Sequence, residues 1–137
     1  MLNKNKCRVE MTLNGPEIKG NCKRQLKKLQ KGQFDMSKRL NAEISSQLCI
    51  NKETGNIDKA VIDTKGNRTS TLLRNRRICP TSHIQISMHT HPLSGIAKFS
   101  EPDALTSVDR MNKDIDEGHC IIGEKESSCL IKFKEKF

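Results

Sequence analysis

The chain gathers two histidines, a serine and an aspartate within fifteen residues. His89 and His91 flank a single threonine, and Ser100 and Asp103 follow after a short loop. Two imidazoles and one carboxylate are a ligand set of a zinc ion whose fourth position is open to water. An open zinc site is catalytic more often than structural, because structural zinc is normally enclosed by four cysteine or histidine ligands. The spacing therefore predicts a hydrolytic metal centre at His89, His91 and Asp103.

A strand must present the two histidines together. Residues 84–88 alternate apolar and polar side chains, which predicts a strand with Ile84, Ile86 and Met88 on one face. His89 and His91 then point together to the opposite face. The proline that follows ends the strand, because it has no backbone N–H to donate.

A helix is predicted to start at Ser100. Ser100 fits the N-cap position, and Asp103 three residues later completes a pattern similar to a capping box. Taken singly, this pair indicates capping more often than a site, although capping and catalysis do not exclude each other for Ser100. Gly118 is the expected stop of the helix. Its buried stripe is expected to contain Ala104, Val108, Met111 and Ile115.

The remaining patterns predict one domain of the α/β (α+β) class over residues 1–137. We expect a mixed, mostly antiparallel, curved sheet flanked by helices. Residues 1–35 are interpreted as a basic N-terminal helical segment, with a helix over 17–31 and a stop at Gly32. Strands are predicted over 43–50, 57–62, 119–123 and 129–133.

The charge of the chain is strongly positive. The formal net charge is +9, with basic residues concentrated in 19–39 and again at Arg74, Arg76 and Arg77. Such patches attract nucleic acid or an acidic protein face, and they are equally typical of a solvated helix surface. Four phenylalanines, with no tyrosine and no tryptophan, supply little of the aromatic platform that single-stranded nucleic acid stacks on.

The sequence contains no pattern of export or membrane insertion. No apolar run approaches the roughly 18 residues of a membrane helix, and residues 1–6 lack the apolar core of a secretory signal. We therefore expect a cytoplasmic protein without a membrane partner. The six cysteines form no CxxC pair, and most are interpreted as small buried apolar residues. Cys120 and Cys129 flank the predicted closing hairpin, and a bridge between them is the less favoured alternative.

The spacing of the histidines, serine and aspartate resembles a known motif. The pattern His89-x-His91-Pro92-(x7)-Ser100-(x2)-Asp103 is similar to the JAMM motif of MPN-type zinc metalloproteases, in particular a small prokaryotic-like member. The resemblance covers residues 43–122 and implies a JAMM/cytidine-deaminase-like core. The family also uses a glutamate well upstream, at the edge of a strand, and Glu43 fits that position.

The resemblance implies a role for each residue. His89, His91 and Asp103 would bind one Zn²⁺ with a catalytic water as the fourth ligand. Glu43 would take the proton of that water and pass it to the leaving amine, and Ser100 would hold the oxyanion. The implied activity is a zinc-dependent peptidase or isopeptidase that cuts at the C-terminal tail of a ubiquitin-like or other flexible-tailed protein.

Parts of the sequence are also compatible with other functions. The main alternative is a catalytically silent module that uses its basic face to bind nucleic acid or an acidic protein, and zinc used only for stability is a third. A metallo-β-lactamase motif would continue as HxHxDH, and an HUH nuclease needs a tyrosine that the chain lacks. His83 and His119 are interpreted as surface or packed histidines.

Overall fold

The computed structural model describes residues 8–12, 15–19, 21–63, 66–68, 71 and 73–132. Seven strands and two helices occur within these ranges. In chain order they are β1 Arg8–Thr12, β2 Gly15–Lys19, α1 Asn21–Leu40, β3 Ser45–Asn51, β4 Ile57–Asp63, β5 His83–Thr90, α2 Glu101–Asn112, β6 Gly118–Ile122 and β7 Ser127–Ile131. Neither of these helices is both long enough and apolar enough to span a membrane.

The central feature is a five-stranded sheet in the order β4-β3-β5-β6-β7. Three of the four neighbouring pairs are antiparallel, and only β5 and β6 run parallel, with α2 connecting them. The prediction of a mixed, mostly antiparallel α+β domain with helices is therefore confirmed. In the register of the sheet, His89 of β5 lies between Ser45 of β3 and Ile121 of β6.

One face of the sheet carries the apolar core, to which α1 contributes Phe34. The predicted alternation in β5 is confirmed, because its apolar trio is buried on this face. Isoleucine, leucine and methionine side chains from three strands form the cluster by burying apolar area. The core comprises Phe34, Leu48, Ile50, Ile84, Ile86, Met88, Cys120 and Ile122.

The opposite face of the sheet is buried but polar. Gln85 and Ser87 of β5 both donate hydrogen bonds to Oδ1 of Asp116, at 2.9 and 2.8 Å. Arg110 of α2 donates from Nε to Oδ2 of the same carboxylate and from Nη2 to Ser87. Such a network satisfies its buried charges. It joins α2 to β5 at Ser87, on the same face of the strand as His89.

The N-terminal segment differs from the prediction. Residues 8–12 and 15–19 form an antiparallel hairpin, and the helix occupies Asn21–Leu40 instead of 17–31. Ile18 has helical spacing to Cys22, but its backbone pairs with Val9 across the hairpin, where strand hydrogen bonds replace helical ones. Gly32 does not end the helix, because Gln33, the next residue of α1, accepts a hydrogen bond from Oγ of Ser46 in β3 at 2.7 Å. Residues 1–7 lie outside the described chain.

The end of α2 also differs from the prediction. The helix ends at Asn112, and Asp114 adopts a left-handed backbone with φ of 57°, which aspartate tolerates better than most residues. Val108 is exposed, because the face of α2 that meets the sheet carries Ser107, Arg110 and Met111. Gly118 begins β6, where an added Cβ would lie 2.9 Å from Cδ1 of Ile131.

Among the described residues, two disulfides join cysteines that the sequence predicts mainly to be unpaired. Cys49 of β3 is bonded to Cys79, and Cys120 of β6 is bonded to Cys129 of β7. The second bond joins directly opposed residues of neighbouring strands, so the less favoured alternative is the correct one. The partner of Cys49 could not be predicted, because Cys79 lies in an irregular segment. The cytoplasmic location stays a prediction.

Candidate metal centre

The two histidines of the motif converge at the end of β5. His89 is buried on the polar face of the sheet, and His91 follows the last residue of the strand. Their Nε2 atoms are 3.2 Å apart. Gly95, with φ of 65°, turns the next loop back so that the carbonyl oxygen of Ile96 lies 3.2 Å from Nδ1 of His91. Nδ1 of His91 can therefore donate to that carbonyl, which leaves Nε2 as the nitrogen that could bind a metal.

Asp103 approaches the histidines from the first turn of α2. The predicted capping box is present: the backbone N–H of Asp103 donates to Oγ of Ser100, and the backbone N–H of Ser100 donates to Oδ2 of Asp103. This reciprocal pair fixes the carboxylate. Its Oδ1 lies 3.1 Å from Nε2 of His89, and its Oδ2 lies 3.2 Å from Nε2 of His91.

The electrostatics of Asp103 favour an anion. Burial acts to raise the pKa of its carboxyl, but the hydrogen bond and charge of His89 and the hydrogen bonds from Ser100 outweigh burial. Together they hold the pKa of Asp103 well below its usual range. The centre thus combines an ionised carboxylate with two imidazole nitrogens, which is a donor set that zinc accepts.

The three side chains have the spacing of ligands around one ion. Ligand bonds of 2.0–2.1 Å in a tetrahedral zinc site place neighbouring ligand atoms about 3.3 Å apart. The two Nε2 atoms are 3.2 Å apart, and each lies 3.1–3.2 Å from a different oxygen of Asp103, Oδ1 for His89 and Oδ2 for His91. The two imidazole nitrogens therefore have the spacing of zinc ligands, and the carboxylate of Asp103 reaches both of them.

Glu43 lies two residues before the start of β3, and hydrogen bonds from its own backbone and from that of Ile44 fix its position. Its backbone N–H donates to the carbonyl of Asn67 at 2.6 Å. The next residue, Ile44, donates its N–H to Oγ1 of Thr90 and accepts at its carbonyl from Nε2 of Gln33 in α1. These contacts bring Glu43 to the histidines: ligand atoms of Glu43, His89 and His91 lie within 4.8 Å of one another, a cluster that could hold a metal ion.

The pKa of the Glu43 carboxyl is raised to near neutral pH. Burial raises its pKa to about 7, and the negative charge of Asp103 acts in the same direction against the lowering effect of His89. A carboxyl with a pKa near the working pH can both accept and release a proton, which is what general acid–base catalysis requires.

In the metal-free protein, we expect Glu43→Gln to stabilise the fold at pH 8, with the gain disappearing below pH 4.5. Because the folded pKa is raised from 4.5 to about 7, the folded chain retains a proton that the unfolded chain has lost. Stability is then lost as the pH rises through this window, and a neutral glutamine avoids that loss. Urea unfolding of chelator-treated protein across the window measures the difference. Glu53→Gln, in an exposed turn, is the control, and a difference independent of pH would contradict the prediction.

The sequence predicts His119 to be a surface or packed histidine, and the structure places it directly behind His89 of the candidate centre. Its side chain is buried on β6, and its Nε2 lies 2.8 Å from Nδ1 of His89. Burial lowers the pKa of His119 to about 3, with the charges of His89 and Arg110 acting in the same direction, so the ring is neutral. Only the parallel pairing of β6 with β5 brings the two histidines together, and sequence spacing carries no signal of that pairing.

All five predicted site residues line one open cleft of about 760 Å³. The structure thus brings Glu43, His89, His91, Ser100 and Asp103 to a single surface. The other walls come from α2 and from the segments before β5 and after it. They include Arg68, Leu73, Asn75, Leu93, Arg110 and Lys113.

Comparison with known proteins adds no identification. No protein-family model matches the chain, and no curated protein does. The evidence for what the centre does is therefore its own geometry.

Proposed function

We propose that the protein is a zinc-dependent hydrolase of the JAMM type that cleaves peptide or isopeptide bonds. The observation that carries the proposal is the triangle of His89, His91 and Asp103, with contacts of 3.1–3.2 Å, facing an open cleft beside Glu43. A centre with three protein ligands and access to solvent is the arrangement of catalytic zinc sites. A purely structural zinc would need a fourth protein ligand.

Glu43 supplies the proton chemistry. When bound, zinc would lower the pKa of its water to about 7 and polarise a substrate carbonyl. The Glu43 carboxylate accepts the proton of the attacking water. The same group, now protonated, delivers that proton to the leaving amine. One carboxyl that first accepts the proton and then releases it serves both halves of the cycle.

Ser100 supplies a donor for the developing oxyanion. Its Oγ accepts the backbone N–H of Asp103 at 3.2 Å, and its hydroxyl lines the cleft, where its proton would turn from the Asp103 carboxylate to the oxyanion of a bound substrate. The N-terminus of α2 adds a favourable field for negative charge. The hydroxyl that caps the helix therefore also serves the reaction.

The substrate in this proposal is a protein with a flexible tail, of which a ubiquitin-like protein is the first candidate. The cleft is open and lined by both apolar and polar side chains, as an extended peptide requires. The alternative is a silent module that binds nucleic acid or an acidic protein. Its support is the pair of exposed arginines, Arg74 and Arg76, on either side of the cleft residue Asn75.

Metal analysis combined with a cleavage panel tests the proposal. Purified protein should contain about one zinc per chain, and it should cleave at least one of a set of linear ubiquitin and ubiquitin-like fusions. A chelator should abolish cleavage, and zinc should restore it. Direct quantification also separates zinc from iron, which accepts two histidines and a carboxylate too. Absence of bound metal after add-back, together with salt-sensitive binding of an oligonucleotide, would establish the alternative.

A further inference from the structure

His119 is enclosed between the sheet and the metal centre. Its side chain is 1% exposed on β6, and its ring lies edge-on to that of His89 with centroids 5.0 Å apart. Phe99 of the loop before α2 covers it from another side, at 6.1 Å between centroids. Among the described residues, its Nε2 has one polar contact, Nδ1 of His89, and its Nδ1 has no hydrogen-bond partner.

Packing alone does not account for a histidine at this place. A buried imidazole with an unpaired nitrogen costs free energy that an apolar side chain of similar size would not. The face of β6 on which His119 lies meets a polar layer. Within the part of the chain that the structure describes, the one interaction that His119 makes through a ring nitrogen is with His89 of the candidate metal centre.

The protonation of His89 explains what that interaction does. A neutral imidazole has one N–H donor and one bare nitrogen. Nε2 of His89 faces Asp103 and His91. In the metal-free protein it can donate a hydrogen bond to Asp103, but to bind a metal it must be bare, and the proton must then be on Nδ1. The group positioned to accept that proton's hydrogen bond is Nε2 of His119, at 2.8 Å. Were His119 to donate instead, His89 would carry its proton on Nε2 and would not bind a metal.

Each ligand histidine then has a hydrogen-bond acceptor at its Nδ1, but the two acceptors are different chemical groups. Nδ1 of His91 faces a backbone carbonyl, that of Ile96. Nδ1 of His89 faces a side chain. Outer partners of this kind orient the ring and fix its tautomer, but a side chain, unlike a backbone carbonyl, can be removed by substitution.

We propose that His119 is a positioning residue of the metal centre, which accepts the Nδ1–H hydrogen bond of His89 and so keeps Nε2 of His89 bare and directed at the metal. The inference rests on the proposed metal site and adds a fourth residue to it. His119 contacts neither metal nor substrate in this scheme, and its effect on them passes through His89.

Zinc affinity in three variants, each compared with the wild type, tests the proposal. His119→Leu removes the acceptor and keeps an apolar side chain, whereas His119→Gln can place an amide oxygen near the position of Nε2. Competition with a chromogenic chelator should show zinc affinity reduced about 10–100-fold in His119→Leu, the range for loss of an outer partner. His119→Gln should recover most of the loss. His83→Gln, a histidine bonded to Asp58 away from the centre, should bind zinc as the wild type does.

Imidazole NMR of the zinc-loaded wild type gives a second readout that does not depend on activity or on a variant's folding. With four histidines in the chain, the nitrogen signals can be assigned. We expect the protons of both His89 and His119 on Nδ1. A proton on Nε2 of His119 would overturn the inference.

The outcomes separate this inference from the proposed function. If the wild type binds zinc and His119→Leu binds it equally tightly, His119 is only a packing residue and the hydrolase proposal stands. If the wild type binds no zinc, both proposals fail. Should His119→Leu fail to fold, the glutamine variant and the tautomer measured in the wild type decide the question.

Discussion

Glu43→Gln is expected to lower the rate of substrate cleavage by about 10²–10⁴-fold, the contribution of a positioned general acid–base group, while zinc remains stoichiometric. Glutamine preserves the size and hydrogen-bonding reach of the side chain but cannot take a proton from water. The measurement is kcat on a cleaved fusion, alongside metal content of the same preparation.

Asp109→Asn is the matched control for Glu43→Gln. Asp109 also lines the cleft, but its carboxylate is exposed and pairs with Lys113. Its loss should leave the rate nearly unchanged, since exposed ion pairs contribute little. Full activity in Glu43→Gln would show that another group acts as the base. A loss of zinc in that variant would show that Glu43 is a ligand, which its place in the cluster with His89 and His91 also permits.

Asp103→Ala is expected to reduce zinc affinity by more than the 10–100-fold that accompanies loss of an outer partner. The carboxylate contacts both histidine Nε2 atoms and carries the negative charge that offsets the cation. Chelator competition measures the change. The substitution also removes half of the capping box, so some loss of stability accompanies it.

Ser100→Ala separates the two consequences of the Asp103 change. It removes the N-cap, at a cost of about 1 kcal/mol, but leaves all three predicted ligands in place. Zinc affinity should therefore be retained, while kcat falls about 10²–10³-fold if the hydroxyl holds the oxyanion. Tight zinc binding by Asp103→Ala, combined with its loss in Glu43→Gln, would reassign the ligand set to Glu43, His89 and His91.

The sequence by itself determined the local parts of the centre. A period of two residues defined β5, and the alternation placed His89 opposite the apolar trio. A serine three residues before an aspartate defined the start of α2 and its capping box. Each of these features depends on residues within one turn or one strand of each other, so short-range spacing is sufficient to predict it.

Only the tertiary structure decided what surrounds those parts. Glu43 reaches the histidines because β3 pairs with β5 in a register that sets Ser45 opposite His89. His119 stands behind His89 because β6 runs parallel to β5, after a helix that Arg110 and Asp116 hold against the polar face of the sheet. The N-terminal hairpin and the Cys49–Cys79 bond were likewise missed. Strand order, register and disulfide partners depend on contacts between distant residues, and the spacing of residues along a chain does not encode those contacts.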